Sequence, residues 1–395
     1  MLVGLDIGTS SAKAVAIDRD GEVLKVAERA YAPRAPQPGW SEQDPEDWWR
    51  AAEDALDECG GHHCDGIGLS GQMHGLVALD AKQRPLRPAI LWNDARAQEQ
   101  CGAIEERLGL EGFVALTGNR ALAGCTAPSL LWVRDHEPEL YREIEAILLP
   151  KDYVRLRLTG ELATDAVDAS GTLLFDVAER SWSAKVLDAL ELDRGWLPRV
   201  HESPAPAGKL GRVPVAAGAG DEAAAAVGAG VVRQGDPVSI VLGTSGVVVA
   251  ALDGYAADAQ GRAHSYCHAV PGGWNVLGVT LSAGGSLRWL RDAAAPGAGF
   301  GELVEEAARW EPGAEGLTFL PYLAGERTPH ADPGARGSFT GLTLRHDRGA
   351  LARAVLEGVA YGLRDSLDLI RELGVTPERG RVSGGGARSE LWLRI

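Results

Sequence analysis

Residues 2–18 read as two apolar, β-branched segments joined at Gly8-Thr9-Ser10: a strand, a tight turn and a second strand. Gly8 stands at the bend, where a left-handed backbone is expected. Asp6, Thr9, Ser10 and Lys13 cluster at this tip. An ordinary hairpin with a polar tip accounts for them, and so does a site for a phosphate and its metal. Backbone N–H groups and hydroxyls cradle anionic oxygens, and a carboxylate such as Asp6 holds Mg²⁺ directly or through water. Residues 239–250 repeat the pattern, with Gly243-Thr244-Ser245 at the turn. Two such hairpins far apart in one chain suggest two similar halves that face one nucleotide.

The length of 395 residues allows two domains, each with its own core. A net charge of −16 argues against nucleic acid or an anionic membrane as the main partner. No segment has the apolar length of a membrane span, and the N-terminus enters a strand without a signal peptide. Cys59, Cys64, Cys101, Cys125 and Cys267 are odd in number and scattered. That pattern predicts free thiols in a reducing, cytoplasmic compartment. Cys59-Gly60-Gly61-His62-His63-Cys64 has ligand-like spacing, but no second pair follows, so a polar turn is the stronger reading.

Asp44-Pro45-Glu46-Asp47 opens a helix, with Asp44 as N-cap and Pro45 in the first turn. Buried strands flank Gly71-Gln72-Met73-His74-Gly75, where polar Gln72 and His74 form either a satisfied core pair or a ligand site reached past two glycines. Residues 126–136 and 182–192 read as helices, and 165–176 as a polar loop. Asp221 follows the strand 213–217 and precedes a small-residue helix. It is either an N-cap or a functional group at a strand's carboxyl end. The linker 233–237 divides the chain into 1–233 and 234–395. Residues 348–373 carry a long helical period. Gly384-Gly385-Gly386-Ala387-Arg388-Ser389 then makes a glycine-rich turn into a helix, a place for a nucleotide against the backbone.

The paired Gly-Thr-Ser hairpins resemble those of the sugar kinase, hsp70 and actin superfamily. Taken in order with Ser70-Gly71-Gln72-Met73-His74-Gly75, Leu91-Trp92-Asn93-Asp94, Pro150-Lys151-Asp152-Tyr153, Gly325-Glu326-Arg327-Thr328-Pro329-His330 and the final glycine turn, they make essentially all 395 residues similar to the FGGY carbohydrate kinases. Within that family the motifs are most similar to the branch acting on D-xylulose. The resemblance implies an α/β fold of two ribonuclease H-like, actin-like ATPase lobes with a cleft between them: a sugar- and phosphate-binding lobe at 1–233 and a nucleotide-binding lobe at 234–395. It implies ATP and a small sugar, D-xylulose, as substrates and Mg²⁺ as the metal.

By that resemblance Asp221 is the catalytic base and Asp6 belongs to the Mg²⁺ and phosphate site. Gln72, Met73, His74, Asp221 and Glu222 face the sugar. Gly8, Thr9, Ser10 and Lys13 face the phosphates, with Gly243, Thr244 and Ser245 opposite. Gly385, Gly386 and Ser389 face adenosine. No Walker A sequence occurs, which suits the family. Another ketose or polyol is the alternative substrate, and an ATP-driven partner-binding protein the alternative class. The sequence leaves a homodimer open.

Three departures from the family pattern stand out. Glu222 replaces an amide beside the base, and Ser129 replaces a signature lysine. Family members also run past residue 395. The chain is therefore expected to lack part of its second lobe, leaving Leu391, Trp392 and Ile395 in search of a partner surface.

Overall fold

The first hairpin forms as its alternation requires. Strand Leu2–Ile7 buries Val3, Leu5 and Ile7, and pairs antiparallel with strand Ser11–Ile17, which buries Ala12, Ala14 and Ala16. Strand Val23–Ala30 extends the pair at the edge. On the other side strand Gly66–Gly71 joins in parallel, with Asp6 opposite Ser70 and Ile7 opposite Gly71. Two further segments pair with it in parallel, Val213–Ala216 and Ala219–Gly220. This is the sheet of one compact unit, residues 1–228 with 266–274, in a computed structural model that describes all of residues 1–395.

Helix Pro45–Glu58 covers the sheet. Asp44 caps it, its carboxylate accepting from Glu46 N at 3.0 Å. Its inner face carries Trp48, Ala52, Ala55 and Leu56 into a core shared with Leu5, Ile7, Ile67 and Leu69. The indole of Trp48 donates to Gln43 Oε1 at 2.8 Å, so this core residue also fixes a polar one.

The other compact unit holds residues 229–265 and 275–395. Its sheet repeats the plan. Strand Val238–Leu242 pairs antiparallel with strand Gly246–Leu252, strand Trp274–Thr280 adds outside the hairpin, and strand Gly380–Ser383 pairs in parallel with the first. The helix Arg348–Glu372, capped by Asp347 on Ala350 N at 3.0 Å, packs on this sheet. Gly358 faces the Phe319 carbonyl so closely that a Cβ would stand 2.2 Å from it. That helix also meets the last one, Glu390–Arg394, whose Trp392 is buried and donates from Nε1 to Leu356 O at 2.9 Å. Trp392 thus has its partner surface within this chain, while Leu393 and Ile395 are exposed.

Some local expectations are corrected. Gly8 does not have a positive φ; what it provides is room, since a Cβ there would stand 3.2 Å from Ser11 O. Residues 165–176 are not a loop. Asp165 caps a short helix, Ala166–Gly171, by accepting from Val167 N at 2.8 Å, and strand Phe175–Asp176 follows. The helix expected at 182–192 is Ala184–Leu190, because Trp182 pairs with Phe175 in a strand. All five cysteines are free and buried; Cys59 donates to Ala14 O on the second strand, and Cys64 to Gly61 O and Gly66 O around the turn.

Trp48→Ala removes a wholly buried indole and the Gln43 anchor together. It should lower stability by about 3–5 kcal/mol. Urea unfolding of the two forms checks this, and a loss below about 1 kcal/mol contradicts the packing described.

Candidate active site

Three parallel segments of the first unit end at one place. The registers Asp6–Ser70–Ala219 and Ile7–Gly71–Gly220 align them, so Gly8, Gln72 and Asp221 emerge side by side at their carboxyl ends. Gly220 is required there, since a Cβ would stand 2.5 Å from the Met73 side chain. Asp6 accepts from Ser70 Oγ at 2.6 Å.

The hairpin tip is braced on several sides. Gly8 N donates to Ser11 O at 3.0 Å, and Gly8 O accepts from the Tyr31 hydroxyl at 2.7 Å. Burial pushes the Tyr31 phenol up, and the nearby Asp6 carboxylate adds to the shift, so it stays a donor. Gln43 Nε2 donates to Thr9 O at 2.7 Å. Gln72, nearly fully buried, donates to Gln43 Oε1 at 3.0 Å and to Gly8 O at 3.3 Å, and accepts from Thr9 Oγ1 at 3.3 Å. Its amide is therefore spent on the tip. Ser10 and Lys13 are exposed there.

Met73 is buried beside Gly220, and His74 is half-buried in the left-handed region at φ 71°. A non-glycine residue held there is strained, and such strain gathers at functional sites. His74 Nδ1 donates to Gly171 O at 2.8 Å, and its ring lies 6.0 Å from that of Tyr266.

Asp221 opens the helix Asp221–Gly228 and accepts from Glu222 N at 2.9 Å. Burial, then the negative charges of Glu222 and Asp6, push its carboxyl up to about 7. Burial also raises Glu222. A carboxylate poised near neutrality can take a proton from a hydroxyl at physiological pH. The site also includes Trp92 of the Leu91-Trp92-Asn93-Asp94 motif: its indole, 39% exposed, donates to Thr9 Oγ1 at 3.0 Å.

In the second unit, a cavity of about 810 Å³ is lined by Gly243, Thr244, Gly385, Gly386 and Ser389, and walled by Leu287, Arg288, Phe300 and Trp392. Five of the six residues expected at the second hairpin and the glycine turn therefore meet at one cavity; Ser245 is not in its lining. Gly384 turns the chain at φ 86°, and Cβ atoms at Gly384 and Gly386 would collide with Leu242. A cavity of this size, lined by apolar and a few polar side chains, suits a nucleotide-sized ligand.

One more cluster has metal-like spacing, Asp152, Asp165 and Asp168. Lys151 Nζ lies among them at 2.6, 2.5 and 2.8 Å, so an ammonium takes the cation's place.

The N-terminal-domain model of the FGGY family of carbohydrate kinases matches residues 1–228, and the C-terminal-domain model matches residues 238–395. A xylulose kinase of Escherichia coli (strain K12) is 44% identical over 412 residues, which cover 100% of this chain and 84% of that protein. A solved structure of a xyloylose kinase from Brucella ovis superposes with a TM-score of 0.94 at 42% identity, covering 99% of this chain and 83% of that one. A gluconate kinase from Lactobacillus acidophilus also reaches 0.94, at 26% identity, covering 99% of this chain and 82% of that one. Both sheets described above have the actin-like α/β form these structures share.

The raised Asp221 carboxyl carries a stability signature. The folded state binds a proton more tightly than the unfolded state, whose aspartate titrates at roughly 4. Its contribution is therefore complete below that value and is lost as pH rises through about 7. Asp221→Asn should accordingly melt at a higher temperature than the parent at pH 8, with the gain fading toward pH 4. Melting curves of both forms across that range test it, and a gain that grows on acidification contradicts it.

Proposed function

The chain belongs to the FGGY family of carbohydrate kinases, and from that premise we propose that it transfers the γ-phosphoryl group of ATP to the terminal hydroxyl of D-xylulose, giving D-xylulose 5-phosphate and ADP. The observation that carries the reading is Asp221, desolvated to a pKa of about 7 at the strand ends, next to Gly220 against Met73 and within electrostatic reach of Asp6. The choice of ketose is supported by the xylulose kinases that match along the whole chain at up to 44% identity. A gluconate kinase of the same fold means that fold alone does not select the sugar, so that choice falls to the side chains around Asp221.

Asp221 is proposed to take the proton of the sugar hydroxyl as its oxygen attacks the γ-phosphorus, while the bond from phosphorus to the bridging oxygen of ADP breaks. Such transfer depends on positioning and charge neutralisation more than on covalent chemistry. His74 is proposed to contact the sugar, and Met73 to supply an apolar wall. Gly8, Thr9, Ser10 and Lys13 in residues 1–233 are proposed to hold phosphate oxygens. In residues 234–395, Gly243 and Thr244 are proposed to face phosphate oxygens, and Gly385, Gly386 and Ser389 to face adenosine, where glycine removes side chains from the backbone's path. Ser245 is kept in the phosphate set on its place in the hairpin turn alone.

The residues fit a divalent cation at Asp6. Its carboxylate is half-buried and close enough to Asp221 to raise that group's pKa, so positive charge there relieves a repulsion already present. Mg²⁺ bound at Asp6 supplies neutralisation of phosphate charge. An ATP-driven partner-binding role explains neither His74 nor the raised Asp221, and membership of a carbohydrate kinase family displaces it.

Asp221→Asn should keep sugar binding and lose on the order of 10²–10⁴-fold in turnover. Coupled ADP release and calorimetry measure the two, and a loss under about tenfold reduces Asp221 to a helix cap. His74→Ala should weaken D-xylulose binding far more than ATP binding; equal losses mean the imidazole supports the fold instead. Across a panel of ketoses, polyols and gluconate, the parent enzyme should show its highest kcat/KM for D-xylulose. A higher value for another sugar overturns that part of the reading.

A further inference from the structure

Five charged side chains of the first unit lie wholly out of solvent: Lys151, Asp152 and Arg155 on helix Pro150–Thr159, with Asp165 and Asp168 at the start of helix Ala166–Gly171. No step of the proposed reaction uses them. Lys151 Nζ bridges all three carboxylates, and Arg155 Nη1 lies 3.1 Å from Asp152 Oδ1. Burial opposes the Lys151 charge, but the three carboxylates outweigh it and hold the ammonium above the usual lysine range. Three acids facing two bases leave an excess, and burial and mutual repulsion push Asp165 and Asp168 up. Ion pairs this deep are a weak source of stability, because desolvation offsets their attraction.

The cluster's outward contacts suggest another role. Arg155 Nη1 donates to Ala217 O at 2.8 Å and Nη2 donates to Ala163 O. Ala217 lies on the segment that runs through Gly218 and Gly220 into Asp221, four residues on. On the other side, Asp165 Oδ1 caps helix Ala166–Gly171 through Val167 N and Asp168 N. That helix ends at Gly171, whose carbonyl accepts a hydrogen bond from His74 Nδ1 at 2.8 Å. It packs tightly against the site, for a Cβ on Gly171 would stand 2.7 Å from His74 Nδ1. The Lys151 stem in turn lies 3.1 Å from a Cβ placed on Gly71, the last residue of the strand before Gln72.

We propose that the Lys151 cluster is a positioning device for the sugar site: through Arg155 it sets the segment carrying Asp221, and through Asp165 it sets the helix carbonyl that orients His74. A buried ion network accepts few alternative geometries, since any shift leaves a charge unpaired. It therefore fixes two groups that come from distant parts of the chain in one mutual arrangement. Misplacement of about 1 Å at such a site can cost on the order of 10²-fold in rate.

This inference rests on the proposed sugar site, and the test separates the two. Arg155→Lys keeps the charge but loses the fork that reaches Ala217 and Ala163. It should lower kcat by about tenfold or more, with little change in KM for ATP. Asp165→Asn keeps volume and capping ability but not the charge facing Lys151. It should raise KM for the sugar by about tenfold with a smaller effect on kcat. Asp168→Asn leaves two acids against two bases and should stay within about threefold of the parent in both. Assays run well below each variant's melting temperature, so loss of fold does not imitate the effect. If Arg155→Lys and Asp165→Asn lose only thermal stability, with kcat and both KM values unchanged, the cluster is fold support and the proposal falls. The ¹⁵N resonances of the His74 ring give a readout that needs no turnover. Asp165→Asn should move them and Arg107→Gln, a surface control, should not. Unmoved resonances overturn the positioning role even if no sugar proves to be a substrate. Moved resonances with no sugar turned over by the parent sustain it while the kinase substrate is reassigned.

Discussion

The parallel pairing of strand Gly66–Gly71 with both Leu2–Ile7 and Ala219–Gly220 is the constraint on which the first unit's chemistry depends. A strand's side chains alternate, so a slip of one residue in either register would turn Asp6 or Ser70 to the opposite face. The observed registers place Asp6 on Ser70 and bring Gly8, Gln72 and Asp221 out together. Hydrophobic alternation on Val3, Leu5 and Ile7 against Ile67 and Leu69 enforces that alignment. The polar site therefore inherits its geometry from an apolar core, and the hairpin tip needs only local bracing from Gln43, Gln72, Tyr31 and Trp92.

The elements with strong local signals were legible in the sequence. Asp44-Pro45 announced a helix start, and the long apolar period over residues 348–373 appears as helix Arg348–Glu372. The two Gly-Thr-Ser hairpins formed where the alternation placed them. Helix Ala166–Gly171 was missed because six residues rich in Ala, Ser and Gly carry no apolar stripe. Its existence depends on the Asp165 cap and on packing from elsewhere in the chain.

The candidate site was legible in type more than in detail. Met73, His74 and Asp221 lie where two strand ends meet, as the flanking apolar runs suggested. Gln72 could not be told from them by sequence, because its partners Gln43 and Gly8 are brought to it by pairings 29 and 64 residues long in the chain. The Lys151 cluster was invisible for a related reason. Charged residues are expected in water, and only folding unites 151, 155, 165 and 168. Trp92 lay inside a motif, yet nothing local says that its indole reaches Thr9 across 83 residues.

The charge balance of the first unit carries the physical argument one step further. Asp6, Asp221 and Glu222 gather negative charge at the strand ends, with burial raising the last two. Deeper in the same unit, Lys151 and Arg155 face three acids, again with negative charge in excess. Neither arrangement is what stability alone selects, since buried like charges repel and desolvation penalises each of them. At Asp221 that penalty is the source of its proposed basicity: a carboxylate stabilised by close cations would ionise lower and accept a proton less readily. Two buried cations of the unit, Lys151 and Arg155, are instead engaged elsewhere, where they fix backbone carbonyls at Ala217 and Ala163 and carboxylates at 152, 165 and 168. Tying Lys151 and Arg155 to these carboxylates and carbonyls lets positive charge shape the site through the backbone. A phosphate and a divalent cation can then enter a region whose own field is not yet neutralised.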